Sequence, residues 1–147
     1  MLLRDRLSEE MKGAMKARDE VRLSAIRLIR SAVKNREIEV KHELTDQEIT
    51  EVISTLAKQR RESIRLFGEA GRADLVEKEE RELALLLEFL PQQLTHGEVE
   101  ALVVAAIAES GAQGARDMGK VMKVLMPRVA GKADGSVVSA LVKEKLA

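Results

Sequence analysis

Cysteine, tryptophan and tyrosine are absent from this 147-residue chain, and phenylalanine and proline occur only twice each. Without cysteine the chain has no disulfides, no thiolate zinc or iron–sulfur sites and no thiol nucleophile. Scarce aromatics weaken two further readings. Proteins that read single-stranded nucleic acid stack bases on aromatic rings, and apolar cofactor pockets lean on the same side chains. Charge of one sign is missing as well, since 25 Lys+Arg face 25 Asp+Glu. No apolar run approaches the roughly 18 residues of a membrane span, because even Leu83–Leu90 contains Glu88. The opening MLLRDRLSEEMK has acids too early for a signal or transit peptide, so a cytoplasmic protein is expected. Missing disulfides agree with a reducing compartment.

Hydrophobic residues make up 45% of the chain, which argues against disorder. With almost no aromatics, the core is expected from Leu, Ile, Val, Ala and Met, packed by helices. The apolar period is helical throughout. Leu3, Leu7, Met11, Ala14 and Met15 share one helical face. Asp19 is placed to cap a second helix running to about Glu39, with an apolar stripe from Val21 to Val33 and a basic face of Arg22, Arg27, Arg30, Lys34 and Arg36. Thr45 to Glu48 spells a capping box and opens a third helix that Gly71 ends as a left-handed cap. A fourth helix covers about Arg72 to Phe89 and stops before Pro91.

Leu90–Thr95 reads as a linker, and shorter helices follow. Thr95 to Glu98 is a second capping box, for a helix to about Ser110. Asp117 is placed to cap a helix over Met118–Met126, with Pro127 ending or kinking it, and a last helix covers Ser136–Leu146. No stretch alternates with period two for long enough to make a strand. The expectation is an all-α protein: a four-helix bundle-like domain over residues 1–91, then a small three-helix tail domain over residues 92–147.

Few motifs carry chemistry. Gly114 to Lys120 fits G-x-x-x-x-G-K, but Val121 stands where a P-loop needs Ser or Thr for magnesium, and no strand precedes it. His42 and His96 fall in expected loops with no metal-ligand spacing. Glu77–Glu82 concentrates acid on the fourth helix, where Glu77 with Arg81 and Asp74 with Lys78 suit i,i+4 pairing. No catalytic residue, metal site or cofactor follows from these residues. Charge is segregated, however. Residues 1–36 hold ten Lys/Arg against five Asp/Glu, and Gly114 to the end holds seven against three. Lys58, Arg60, Arg61 and Arg65 add a further basic group, while acids gather at 37–51 and 74–88. Segregation of this kind gives a phosphate-binding surface a physical basis.

The segment Asp117-Met-Gly-Lys-Val-Met-Lys-Val-Leu-Met-Pro127, followed by Gly131-Lys-Ala-Asp-Gly135-Ser-Val-Val, resembles the tail domain shared by the GatB subunit of tRNA-dependent amidotransferase and the YqeY-like proteins. Lys16-Ala-Arg-Asp-Glu-Val-Arg-Leu, Lys58-Gln-Arg-Arg-Glu-Ser-Ile, Gly71-Arg-Ala-Asp-Leu and Glu88-Phe-Leu-Pro-Gln-Gln-Leu extend the YqeY resemblance over essentially the whole chain. The resemblance implies an all-α bundle with a small helical tail. In the amidotransferase that tail contacts the tRNA body, and catalysis resides in domains this chain lacks. The label the family carries, carbon–nitrogen ligase with glutamine as amido donor, finds no Cys nucleophile, complete P-loop or paired metal ligands here.

Together, resemblance and charge suggest phosphate contacts in the tail by Arg116, Gly119, Lys120, Lys123, Arg128 and Lys132. Gly119 permits close backbone approach, the lysines supply charge, and a helix N-terminus offers free amides. The expected partners are tRNA, or an amidotransferase or aminoacyl-tRNA synthetase complex, with no membrane and no cofactor. An amidotransferase-type enzyme or its accessory subunit, and a helical protein–protein adaptor, are the rival readings.

Overall fold

A computed structural model describes all residues, 1–147, and contains helices and turns only. Seven α-helices follow in order: α1 (Leu3–Ala17), α2 (Glu20–Val40), α3 (Asp46–Glu69), α4 (Ala73–Leu87), α5 (His96–Ser110), α6 (Met118–Val129) and α7 (Gly135–Leu146), with a 3-10 turn at Ala115–Asp117. The chain divides into two compact units, Met1–Leu90 and Pro91–Ala147.

The caps explain most boundaries. Asp19 accepts from the Arg22 amide at 3.1 Å. Thr45 and Glu48 exchange bonds at 3.2 and 3.1 Å, as do Thr95 and Glu98, so both capping boxes satisfy amides that a helix start leaves orphaned. Asp134 takes the Ser136 amide at 3.0 Å and sets the start of α7. Gly71 and Gly111 adopt φ of 71° and 68° after α3 and α5, the left-handed conformation that a side chain resists. Arg18 and Lys41 adopt it too, at 55° and 60°.

In the first unit, Leu7, Leu23, Ile26, Ile29, Val33, Ile49, Ile53, Leu86 and Phe89 share one buried cluster. Arg6 lies over the Phe89 ring at 4.9 Å, a cation–π contact. The core ends abruptly along α3 and α4. From Lys58 to Leu85 no residue is buried, and Ile64, Phe67, Leu75, Val76 and Leu83 are only half-buried. Those two segments therefore form a helical hairpin anchored at its base. In the second unit, Val99, Val103, Val121, Leu125, Val129, Val138, Leu141 and Val142 make the core.

Three expectations are corrected. Helix α4 ends at Leu87 rather than Phe89, because Pro91 disfavours helical geometry at Leu90; Phe89 and Leu90 turn on bonds of 3.2 and 3.1 Å to Leu86 and Leu87. Helix α6 runs through Pro127 to Val129. The proline's fixed φ suits a helix, and in the last turn it removes a single amide donor. His96 is the first residue of α5, not part of a loop.

Candidate functional site

The expected phosphate contacts cluster on and after α6. Val121, Leu125 and Val129, four residues apart, are 0–1% exposed and fix which side of the helix faces the core. Gly119, Lys120 and Lys123 therefore lie on the opposite side, and all three are exposed. Arg116 is exposed on the 3-10 turn one helical turn earlier. At about 100° per residue, Arg128 sits on a different flank, where it pairs with Glu109 of α5 at 2.6 Å. Lys132 is exposed in the turn before α7. Thus Arg116, Gly119, Lys120 and Lys123 are brought onto one surface, while Arg128 and Lys132 are set apart from it.

Two features hold this surface. The Asp117 carboxylate accepts from the Gln113 amide at 2.9 Å and closes the loop leading into α6. The turn after α6 is tied by its backbone. Lys132 donates to the Val129 carbonyl at 2.8 Å and accepts from the Leu94 amide at 2.8 Å, and the Gln93 amide group donates to the Gly131 carbonyl at 2.8 Å. Gly131 needs its φ of 74° to make that turn. Farther along, Lys145 of α7 pairs with Glu100 of α5 at 2.8 Å, which holds the Glu100 carboxyl below its ordinary range and raises the Lys145 ammonium.

The helix N-terminus itself is not the open anion cradle expected from sequence. Asp117 makes no capping bond to α6; its carboxylate bonds Gln113 instead and lies 3.8 Å from Lys120. The Met118 amide is taken by the Ala115 carbonyl, because a 3-10 turn runs directly into the helix. A carboxylate at that position opposes an incoming phosphate. Recognition on this surface is left to side chains, chiefly Lys123 and Arg116, which no ion pair engages.

The other sequence candidates resolve differently. Val121 of the P-loop-like segment faces the core. His42 contacts the Glu43 carbonyl at 3.0 Å and Glu48 at 3.8 Å, and no group of three or more His, Asp or Glu is placed to hold a metal ion. On α4, Asp74 pairs with Arg72 rather than Lys78. Glu79 and Glu82 reach across the hairpin to Arg60 at 3.4 and 2.9 Å. Arg65 is held by Glu62 and Glu69 on its own helix. The basic group of α3 is therefore largely spent inside the hairpin. Sequence reasoning missed the Arg60 pair because the partner lies on the neighbouring helix, outside any i,i+4 spacing.

Comparison with known proteins places this geometry in context. Residues 4–146 match the family described as "Yqey-like protein". A relative from Pyrenophora tritici-repentis, named "Altered inheritance of mitochondria protein 41, mitochondrial", is 33% identical over 95% of this chain and 78% of its own length. Proteins with the same name from Lachancea thermotolerans and Saccharomyces cerevisiae are each 36% identical over 64% of this chain and 51% of their own length. The match thus spans about half of those two yeast relatives.

Proposed function

The chain belongs to the YqeY-like protein family, and from that membership we propose that it is an RNA-binding accessory module with no active site of its own, acting on tRNA or beside a tRNA-processing enzyme. The first four helices are read as a bundle-like domain and the last three as a tail domain that carries the phosphate contacts. The observation that supports this reading is the exposed side of α6, where Lys120 and Lys123 follow Gly119 opposite a sealed apolar face. Cations on a rigid helix contact phosphates and position an RNA without reading its bases, which suits a chain with so few aromatic rings. Lys132, exposed in the turn after α6, offers a separate cation, while Arg128 is engaged by Glu109. The relatives' names carry the word "mitochondrial", so the proposed place of action includes the mitochondrion as well as the cytoplasm.

Titration of bulk tRNA with the full chain across a salt series tests the reading. With Arg116, Lys120 and Lys123 each meeting a phosphate, these three contacts contribute about −2 to −3 to the log–log salt slope, at roughly 0.7–0.9 per contact. Lys120→Glu/Lys123→Glu should abolish most of that contribution. Equal binding by that variant rejects the tail as the RNA site. Glutamine hydrolysis that depends on this chain would favour the amidotransferase reading instead.

A further inference from the structure

We infer that the first unit carries a second phosphate-backbone surface, formed by Arg27, Arg30 and Lys34 of α2 where that helix packs on α1. The choice of RNA as the polyanion rests on the reading above, but the residues and the test are separate from the tail. Between Val21 and Arg36 the sequence has five Lys/Arg and no acid. The structure divides those five. Arg22 is turned onto Asp19, Glu88 and Glu10 at 3.5, 3.2 and 3.8 Å, and Arg36 onto Glu39 at 2.8 Å. No ion pair engages Arg27, Arg30 or Lys34, and all three are exposed. Arg4, across the same seam on α1, is by contrast held by Glu37 and Glu43.

The three free cations do not stand alone. Ser24, Arg27, Ser31 and Lys34 recur at spacings of three and four, so they form one exposed stripe on the side of α2 away from the core. At 1.5 Å per residue the stripe is about 15 Å long, matched to several charges of a strand that carries one roughly every 3.4 Å. Hydroxyls alternating with cations supply the donors that phosphate oxygens accept. Arg30 leans toward α1, its guanidinium 2.8 Å from the Met11 sulfur. Beside it opens a recess of about 260 Å³ lined by Arg4, Arg30 and Lys34 and by the Glu37 carboxylate that Arg4 holds, with Leu7, Val33 and Ile49 in its wall. With Glu37 offset by Arg4, Arg30 and Lys34 remain to flank a phosphate there.

A bilayer surface fits these residues less well. A membrane-lying helix presents a broad apolar face, whereas the apolar face of α2 (Ile26, Ile29, Val33) is 0–5% exposed. Its outward side holds serines and Asn35, and its exposed large apolar groups, Val21 and Ile38, lie near opposite ends of the helix and form no continuous face.

The experiment uses the full chain and four proteins: wild type, Arg27→Gln/Arg30→Gln/Lys34→Gln, the corresponding triple Glu variant, and Lys120→Glu/Lys123→Glu. Each is titrated with bulk tRNA over a salt series, with poly-glutamate and phosphatidylserine vesicles as separate probes, and circular dichroism checks the fold. The Gln variant should flatten the salt slope by about 2–3 at 0.7–0.9 per lost contact, and the Glu variant should weaken low-salt binding at least tenfold. An unchanged slope in both triple variants overturns the inference. Poly-glutamate or vesicles bound as tightly as tRNA by wild type overturn it as well. If the triple variants fail while Lys120→Glu/Lys123→Glu binds normally, the tail reading falls and this surface stands; the reverse pattern rejects this surface and keeps the tail.

Discussion

Replacing Leu86 with Ala tests how the α3–α4 hairpin is held to the first unit. Leu86 is the one buried residue of α4, at 0% exposure, and it packs in the cluster that holds Ile53, Leu56 and Phe89. Truncating a leucine at such a site removes its transfer free energy and leaves a cavity, together about 2–5 kcal/mol. Leu83, one turn earlier, is only half-buried. Its truncation should cost about 1 kcal/mol, from partial burial of a side chain worth about 1.5–3 kcal/mol when fully buried. For a unit spanning Met1–Leu90, each kcal/mol moves Tm by about 4–8 °C. A 3 kcal/mol loss thus lowers Tm by about 12–24 °C for Leu86→Ala, against about 4–8 °C for Leu83→Ala. With no Trp or Tyr to report unfolding, the melt is followed by far-UV circular dichroism, and hydrogen exchange locates the opening. Amides between Arg61 and Glu82 should exchange through local opening well before those of Ile26–Val33, since few buried contacts restrain them. Equal costs for the two leucines, or equal protection of hairpin and core, would refute an attachment confined to the base.

Two further outcomes follow from the caps and the ion pairs. Thr45→Ala should cost the first unit about 1 kcal/mol, and Thr95→Ala the second unit a similar amount; separate transitions in a urea titration would assign each loss, and a cost below about 0.3 kcal/mol in both would mean that the boxes add nothing beyond solvation. The Glu37 carboxyl is held below its ordinary range by the Leu44 amide, which donates to it at 2.8 Å, and by the Arg4 guanidinium, while desolvation opposes. Because its folded value is depressed, the stabilisation is present above the ordinary carboxylate range and is lost as pH falls through that range. Glu37→Gln should therefore flatten the acid limb of the stability curve, and an acid limb unchanged in slope counts against this role for Glu37.

Helices and their starts were legible in the sequence because the signals are local. An Asp carboxylate or a Thr hydroxyl three residues before an amide acts the same in any context, so the bonds made by Asp19, Thr45 and Thr95 appear where the sequence puts them. Residues whose outcome depends on a neighbouring helix were not legible. Glu79 and Glu82 turn to Arg60 rather than to their own helix, and Arg22 turns to Glu88, sixty-six positions away. Asp117 looked like a cap, but the 3-10 turn before α6 brings Gln113 within reach of its carboxylate first. The position of Pro127 was readable and its effect was not, since losing one donor in a final turn costs far less than losing it in mid-helix. For the candidate tail site, the cationic residue types were visible in the chain, whereas their sorting into a shared surface and an outlying Arg128 depends on where Val121, Leu125 and Val129 point.

The bonds that tie Gln93 and Leu94 to Gly131 and Lys132 bear on how the chain can be dissected. Gln93 also donates to the Pro91 carbonyl at 2.9 Å, so the stretch before α5, though it has no regular structure, is part of the scaffold that shapes the α6–α7 turn. A C-terminal fragment cut at His96, where the helix visibly starts, would discard the donors of Gln93 and Leu94 and leave two carbonyls of that turn without them. A fragment cut at Pro91 keeps both. Its Lys132 would be presented as in the intact chain, whereas the shorter fragment would display a looser loop while retaining every helix.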